Sequence, residues 1–218
     1  MGSGDKNDKM ILAVPIDILF VNNSHFQGFK PHSKIEDYES RILEYKKFLR
    51  RGDAEIDFTH KQPVGYAVII NPVSKKVYTY KRASNKADYN ESRLHGKWSI
   101  GIGGHIEKEI DATDNPIHSS LLREIDEEVL INGSQDIKVI GYINDDKDEV
   151  GKVHFGILYV IETDSDDVFP NDSESVHGEM MSVDEIRKIQ KDPNSTLENW
   201  SEIALETVEN YLNNIQPE

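Results

Sequence analysis

The segment from residue 116 to residue 130 constrains the fold most, because its charged and apolar side chains separate onto two faces of a helix. At about 100° per residue, Glu124, Glu127 and Glu128 project within roughly a third of the helix circumference. A separate arc is apolar and holds Leu121, Leu122, Ile125 and Val129. Asn115 and Pro116 supply an N-cap and a first helical residue, so the sequence predicts a helix over residues 116–130 that packs on a core.

The three glutamates also pose a charge problem. Like charges at positions i and i+4 of an isolated helix cost roughly a few tenths of a kcal/mol per pair. A positive partner is therefore expected, and a hard divalent cation is a natural candidate. The alternative is a solvated acidic face, which is common in a chain with a net charge of -15.

Composition excludes several kinds of site and partner. The chain has no cysteine, which rules out disulfides, thiolate metal sites and cysteine nucleophiles. Its 25 Lys and Arg against 40 Asp and Glu oppose nonspecific binding to nucleic acid, which depends on neutralised phosphates. No apolar run approaches the ~20 residues of a membrane span, and the polar residues 1–9 do not resemble a secretory signal. We expect a cytoplasmic protein with neither a nucleic-acid nor a membrane partner.

Periodicity predicts both strands and helices. Strands are expected at residues 10–21, 64–70, 77–82, 98–104, 137–144 and 152–162. The second and third of these form a hairpin through a turn at residues 71–74, and the fifth and sixth form another strand pair. Besides the acidic helix, residues 35–51 have a helical period, and two C-terminal helices begin at capping boxes led by Ser182 and Ser195. Residues 163–174 are expected to form a loop, and the mixed order of elements favours a mixed sheet flanked by helices.

Two segments resemble the signature motif of the Nudix hydrolases, G-x5-E-x7-R-E-U-x-E-E-x-G-U, in which U is aliphatic. Gly103-Gly104-His105-Ile106-Glu107 resembles its glycine-led opening, and Arg123-Glu124-Ile125-Asp126-Glu127-Glu128 resembles its catalytic end. Trp98-Ser99-Ile100 is similar to the strand that enters the motif. The resemblance covers residues 62–212 and is strongest to the subgroup of predicted phosphoesterases. It implies an α/β fold of the Nudix type, an α/β/α sandwich with a mixed sheet flanked by helices.

This resemblance divides the chain into three parts. Residues 1–9 are expected to be a disordered terminus, residues 10–61 an N-terminal extension of a strand and a helix packed on the domain, and residues 62–218 the Nudix-like hydrolase domain. The amphipathic helix of the extension either packs on its own domain or forms a partner or homodimer surface.

The sequence departs from the motif in two places. Arg123 lies 19 positions after Gly104, where the motif needs 14, so the loop carries a five-residue insertion. Asn115 stands where the motif has its first glutamate, and Glu109, Asp111 or Asp114 are the acids that could replace it. Leu130 also occupies the position of the late glycine, which predicts a different exit from the helix.

The resemblance assigns metal ligands and a reaction. Glu124, Glu127 and Glu128 would bind Mg²⁺, with Mn²⁺ as a substitute, and the backbone of Gly104 would lie near the metal. Arg123 would orient a glutamate, since its planar fork suits a carboxylate. The reaction would be attack of water on a phosphorus of a small diphosphate compound.

Other positions receive weaker assignments. Glu179, in a segment that resembles a late loop and helix start of these domains, is expected to be the general base, with Glu128 as the alternative. Arg82 and Arg93 flank the loop before the motif and are candidates to bind substrate phosphate. His95 and His105 lack a histidine-carboxylate spacing typical of zinc sites, so they are expected to be structural or exposed.

Two other functions are compatible with the same fold. A non-hydrolytic nucleotide-binding or regulatory module would normally have lost its glutamates, whereas Glu-x-x-Glu-Glu is intact here. Isopentenyl diphosphate isomerase chemistry relies on a cysteine, and this chain has none.

Overall fold

The computed structural model describes residues 5–83, 94–171 and 175–215. Within these residues the strands are β1 (Met10–Pro15), β2 (Gly28–Pro31), β3 (Lys47–Arg50), β4 (His60–Asn71), β5 (Lys76–Arg82), β6 (Trp98–Ser99), β7 (Gly101–Ile102), β8 (Val129–Ile131), β9 (Asp136–Asn144), β10 (His154–Glu162), β11 (Val168–Pro170) and β12 (Ser175–Ser182). The α-helices are α1 (Ile16–Leu19), α2 (Tyr38–Tyr45), α3 (Arg51–Ala54), α4 (Pro116–Glu128), α5 (Glu149–Val153), α6 (Val183–Lys191) and α7 (Asn199–Asn214).

The fold is α/β, with a large mixed sheet flanked by helices, as predicted. The main path of the sheet has the order β12-β5-β4-β10-β9-β2. Off this path, β1 and β7 pair with β4, β3 pairs with β1, and β6 pairs with β5. The hairpin of β4 and β5 is confirmed, with Ile70 opposite Val77 and Asn71 opposite Lys76. Its turn is fastened by the Asn71 Oδ1, which accepts hydrogen bonds from the backbone N–H groups of Val73 and Ser74.

The chain forms two compact units. The first comprises the described residues up to Tyr66 together with Gly103–Leu122 and Val139–Leu158. The second comprises the described residues of Ala67–Ile102 and those of Arg123–Lys138 and Tyr159 onwards.

An aromatic cluster forms the core of the first unit around α2. The ring centroid of Tyr38 lies 4.8 Å from that of Tyr142 and 5.4 Å from that of Phe155. Phe20 and Phe26 pack edge-on against the same Tyr38 ring. Tyr38 and Ile42 of α2 are thus buried within their own unit, whereas Tyr45 at the end of the helix is 46% exposed.

The helix predicted over residues 35–51 is wrong in its second half. Helix α2 ends at Tyr45, because Lys46 turns to ψ 141°, and residues 47–50 then form β3. Strand β3 pairs antiparallel with β1, Leu49 lying opposite Ile11. Apolar residues in this short segment fit either period, and pairing with a distant strand decides between them.

The strand predicted over residues 10–21 is too long. Strand β1 stops at Pro15, which lacks an N–H donor for further pairing and instead precedes α1. Ahead of β1, Lys6–Asp8 form a 3-10 turn, although the polar composition of residues 1–9 predicts disorder. Lys9 forms an ion pair with Glu107 at 2.7 Å. Residues 1–4 lie outside the described residues.

Helix α4 is confirmed, but its end and the loop after it differ from the prediction. The helix stops at Glu128, and Val129–Ile131 form β8. Strand β8 pairs with β11, which lies in the segment expected to be a loop. Leu122 of the predicted apolar arc is 38% exposed, whereas Leu121 and Ile125 are buried.

Of the two predicted capping boxes, one is present. The Ser182 hydroxyl accepts from the backbone N–H of Glu185, and the Glu185 carboxylate accepts from that of Ser182. Helix α7 instead begins at Asn199 after Glu198, whose side chain makes no capping bond. Ser195 is wrong as a cap, because the helix begins four residues after it and Glu198 holds the N-cap position. Among the described residues, no helix combines the length and apolar composition that crossing a membrane would need.

Candidate functional site

The C-terminal end of α4 carries the acidic cluster and is held in place by Asn171. The backbone N–H of Asn171 donates to the Glu128 carbonyl at 2.9 Å, and its side-chain amide donates to the Asp126 carbonyl at 3.0 Å. These bonds satisfy carbonyls that the end of the helix leaves without intrahelical partners. The last turn, and the glutamates on it, therefore have a fixed backbone.

Arg123 brings two of the predicted ligands together. Its guanidinium lies 2.7 Å from Glu124 and 3.2 Å from Glu127. The side chain of Glu124 is 13% exposed and that of Glu127 is 59% exposed, so the first is largely shielded and the other faces solvent. This is the contact expected of Arg123, which holds carboxylates through its planar fork.

Glu124 is electrostatically crowded. Burial raises the pKa of this carboxyl above its usual value, and the charge of Glu127 raises it further, while Arg123 and a hydrogen bond with Glu128 oppose the shift. A buried carboxylate among other carboxylates is stabilised by a nearby cation. The side chains supply oxygen donors alone, so the cluster fits a hard ion such as Mg²⁺. Nudix hydrolases generally use divalent metals of this kind.

Gly104 belongs to the first unit, and residues 123–128 belong to the second. The contribution of its backbone therefore stays a prediction. The neighbouring Gly103 is required by packing, because a Cβ atom there would lie 2.3 Å from the carbonyl oxygen of Gly65. Gly103 thus allows the backbone that follows β7 to approach β4 closely.

Glu179 lies in the middle of β12 and not on a loop. It pairs with Thr79 of β5, and its carboxylate lies 2.9 Å from the His177 Nε2. The side chain is 56% exposed, so it is accessible to solvent. Its role as general base stays a prediction.

The two arginines assigned to the substrate have different positions. Arg82 is buried and forms an ion pair with Glu198, and its guanidinium lies 5.2 Å from the centre of the Tyr80 ring. This side chain is therefore engaged inside the second unit. Arg93 lies outside the described residues, and both substrate assignments stay predictions.

The insertion contains one buried acid. Asp111 is 2% exposed, and its carboxylate accepts from the backbone N–H of Glu107 at 2.7 Å. Glu109 and Asp114 are exposed. Of the three acids considered as replacements for the motif glutamate, Asp111 has the position of a structural one.

A second cluster, which sequence reasoning missed, lies in the first unit and consists of Glu55, His105 and His154. One ligand atom from each of the three lies within 4.8 Å of the others. The His105 Nε2 lies 3.2 Å from the His154 Nε2 and 3.4 Å from the Glu55 carboxylate. These residues are about 50 positions apart, so no local spacing could have predicted their contact.

Two residues of this second cluster, His105 and Glu55, have pKa values below the usual ones. Burial is the largest influence on His105 and lowers its pKa to about 4, so the ring is neutral at pH 7. Burial would raise the pKa of Glu55, but the hydrogen bond from His105 and the nearby His154, His105 and Arg51 lower it to about 2. A neutral imidazole beside an ionised carboxylate is a set of metal donors.

Comparison with known proteins gives three similarities of different weight. No family model matches the sequence. Protein YmaB of Bacillus subtilis (strain 168) is 36% identical over 211 residues, which cover 94% of this chain and 99% of that protein. The crystal structure of Tm1382, a protein assigned to the Nudix hydrolases, superposes with a TM-score of 0.71 at 26% identity and covers 93% of this chain and 100% of its own.

The third similarity concerns the fold alone. The NUDIX domain of Shewanella oneidensis NrtR, solved in complex with ADP ribose, has a TM-score of 0.53 at 14% identity. It covers 70% of this chain and 88% of its own.

Proposed function

The chain belongs to the Nudix hydrolase family, and we propose that it is a Mg²⁺-dependent diphosphohydrolase. The substrate would be a nucleoside diphosphate derivative or a related compound, cleaved by attack of water at phosphorus. One observation carries the proposal: Arg123 holds the largely shielded Glu124 and the exposed Glu127 together at the end of a helix that also bears Glu128.

Each residue of the cluster has a proposed role. Glu124, Glu127 and Glu128 would hold the ion, and Arg123 fixes the carboxylates of the first two in position. When bound, Mg²⁺ supplies charge that polarises phosphoryl oxygens and makes a bound water more acidic. The Arg123 contact limits the conformations open to the carboxylates, which reduces the entropy lost when they bind.

The general base is Glu179 or Glu128, and its task is to accept the proton of the attacking water. Glu179 is accessible on β12, and His177 orients its carboxylate. The pH dependence of kcat in Glu179→Gln and Glu128→Gln proteins distinguishes the two. The variant that removes the base should lose the acidic limb of the profile, and the other should keep it.

A non-hydrolytic nucleotide-binding module is the second candidate. The NUDIX domain of NrtR was solved in complex with ADP ribose, so this fold accommodates a nucleotide diphosphate ligand. The intact glutamates of this chain favour hydrolysis over binding alone.

A substrate panel separates the two candidates. Nucleoside diphosphate derivatives, ADP ribose among them, are incubated with the protein and Mg²⁺ or Mn²⁺, and products are identified by mass spectrometry. The proposal predicts a nucleoside monophosphate or inorganic phosphate that appears only with the metal. Tight binding by calorimetry without any product would favour the binding module instead.

A further inference from the structure

We propose that Glu55, His105 and His154 form a binding site for a divalent transition-metal ion of the Zn²⁺ type. The site lies within the first unit and has donors unlike those of the carboxylate cluster on α4. It goes beyond the hydrolase proposal and does not depend on it.

The distances between donor atoms fit a tetrahedral ion. With metal-ligand bonds of about 2.0–2.1 Å and tetrahedral angles, neighbouring ligand atoms lie about 3.3 Å apart. The His105 Nε2 lies 3.2 Å from the His154 Nε2 and 3.4 Å from the Glu55 carboxylate. Two edges of the tetrahedron therefore already have the required length.

His154 is oriented as a metal ligand. Its Nδ1 lies 2.7 Å from the carbonyl oxygen of Val150, which only accepts hydrogen bonds, so Nδ1 carries a proton. In the neutral ring the lone pair is then on Nε2, the atom that faces His105. Histidines that bind metals almost always donate their other N–H to a carbonyl or a carboxylate in this way.

Gln62 and Arg51 lie next to the three proposed ligands. The Gln62 amide nitrogen donates to the Ala54 carbonyl at 3.1 Å, which turns its Oε1 towards His105 at 2.8 Å. Arg51 lies 3.7 Å from the carboxylate of Glu55. The Gln62 oxygen is thus available as a fourth ligand, or as the neighbour of a bound water.

The donors select the kind of ion. Two imidazoles with one carboxylate suit Zn²⁺ and similar transition metals, whereas Mg²⁺ requires oxygen ligands. Two histidines and a glutamate also leave one coordination position open. The competing explanation is a hydrogen-bonded network without metal, in which His105 Nε2–H donates to Gln62. Binding would move that proton from Nε2, so His105 would change to the Nδ1–H tautomer.

Zinc titration of the full-length, chelator-treated protein tests the proposal. Excess Mg²⁺ is kept present to compete for the carboxylate cluster on α4. We expect about one Zn²⁺ per chain, and Co²⁺ should give the strong visible absorption of a tetrahedral site. Glu55→Gln and His154→Ala should each weaken binding by about 100-fold or more, since even the loss of an outer-shell partner costs 10–100-fold.

His177→Ala is the matched control, because it removes an exposed histidine beside a glutamate and should leave zinc affinity unchanged. Unchanged zinc affinity in both ligand variants would overturn the proposal. The three residues would then form only a hydrogen-bonded network without metal. Nitrogen-15 NMR of the wild-type protein avoids any folding defect of the variants. Zn²⁺ should shift the Nε2 signals of two of the eight histidines, with a change of tautomer in one. Absence of that shift would contradict the site.

Discussion

Arg82 forms an ion pair with Glu198, while the sequence predicts that it binds substrate. Its ion pair with Glu198 is buried, both side chains being less than a tenth exposed. Arg82→Ala leaves a buried carboxylate without its partner, and we expect a loss of about 3–5 kcal/mol in the free energy of unfolding. Urea denaturation measures it.

The double variant Arg82→Met, Glu198→Leu is the control and should recover most of that loss, because no buried charge remains. If Arg82→Ala instead keeps its stability and raises KM for a diphosphate substrate, the substrate role predicted from the sequence is correct.

At Gly103 the addition of a single Cβ atom is expected to reduce the stability of the fold. A Cβ there would lie 2.3 Å from the Gly65 carbonyl oxygen and 3.1 Å from a methyl group of Val64. Gly103→Ala should destabilise the protein by about 1–3 kcal/mol, since backbone has to move. Gly52→Ala is the comparison, because its nearest atoms are 3.3 Å away and belong to side chains. Equal melting temperatures for the two variants would contradict the close approach.

Among the helices, Ser182 and Ser195 allow two copies of one capping pattern to be compared. Both begin a Ser/Thr-x-x-Glu pattern, but only Ser182 caps a helix. Ser182→Ala should cost about 1 kcal/mol, and Ser195→Ala should cost little. Thermal unfolding of the two variants compares them directly. A larger loss from Ser195→Ala would show that α7 begins earlier than Asn199.

Local patterns account for most elements that the sequence predicts correctly. The β4–β5 hairpin has its own turn residues, and α4 and α6 have their own starts, so neighbours in the chain specify them. Strand β3 and the β8–β11 pair were missed because their partners are distant, β3 on β1 and β8 almost 40 residues before β11. Short apolar segments take their structure from such partners.

Across the whole molecule, the two candidate sites also differ in whether their residues are neighbours in the chain or come from distant segments. Arg123, Glu124 and Glu127 lie within five residues on one helix, so helical spacing alone brings them together. Glu55, His105 and His154 come from three distant segments and meet only when the first unit folds. Sequence patterns could therefore predict the acidic cluster and its family resemblance, while the histidine site required the tertiary structure.

The comparison with relatives extends over the whole molecule. Tm1382 and YmaB cover 93% and 94% of this chain, so the similarity includes the N-terminal segment as well as the motif. The segment before residue 62 supplies Glu55, and it packs Tyr38 against Tyr142. Deletion of residues 5–61 should therefore expose the aromatic core of the first unit and cause loss of folded protein, measured by circular dichroism. A truncated protein with a cooperative melt would show that the remainder folds alone.

The most direct test of a metal-dependent site at the end of α4 compares two acids on this helix. Glu127 contacts Arg123, whereas Asp126 is an exposed neighbour with the same charge. Mg²⁺-dependent kcat/KM is measured on the best diphosphate substrate for Glu127→Gln and Asp126→Asn proteins of equal stability. We expect a loss of about 10²–10³-fold for Glu127→Gln, or about 3–4 kcal/mol of transition-state stabilisation, and a change of less than about threefold for Asp126→Asn. Equal activity in the two variants would contradict a metal-dependent site at the end of α4.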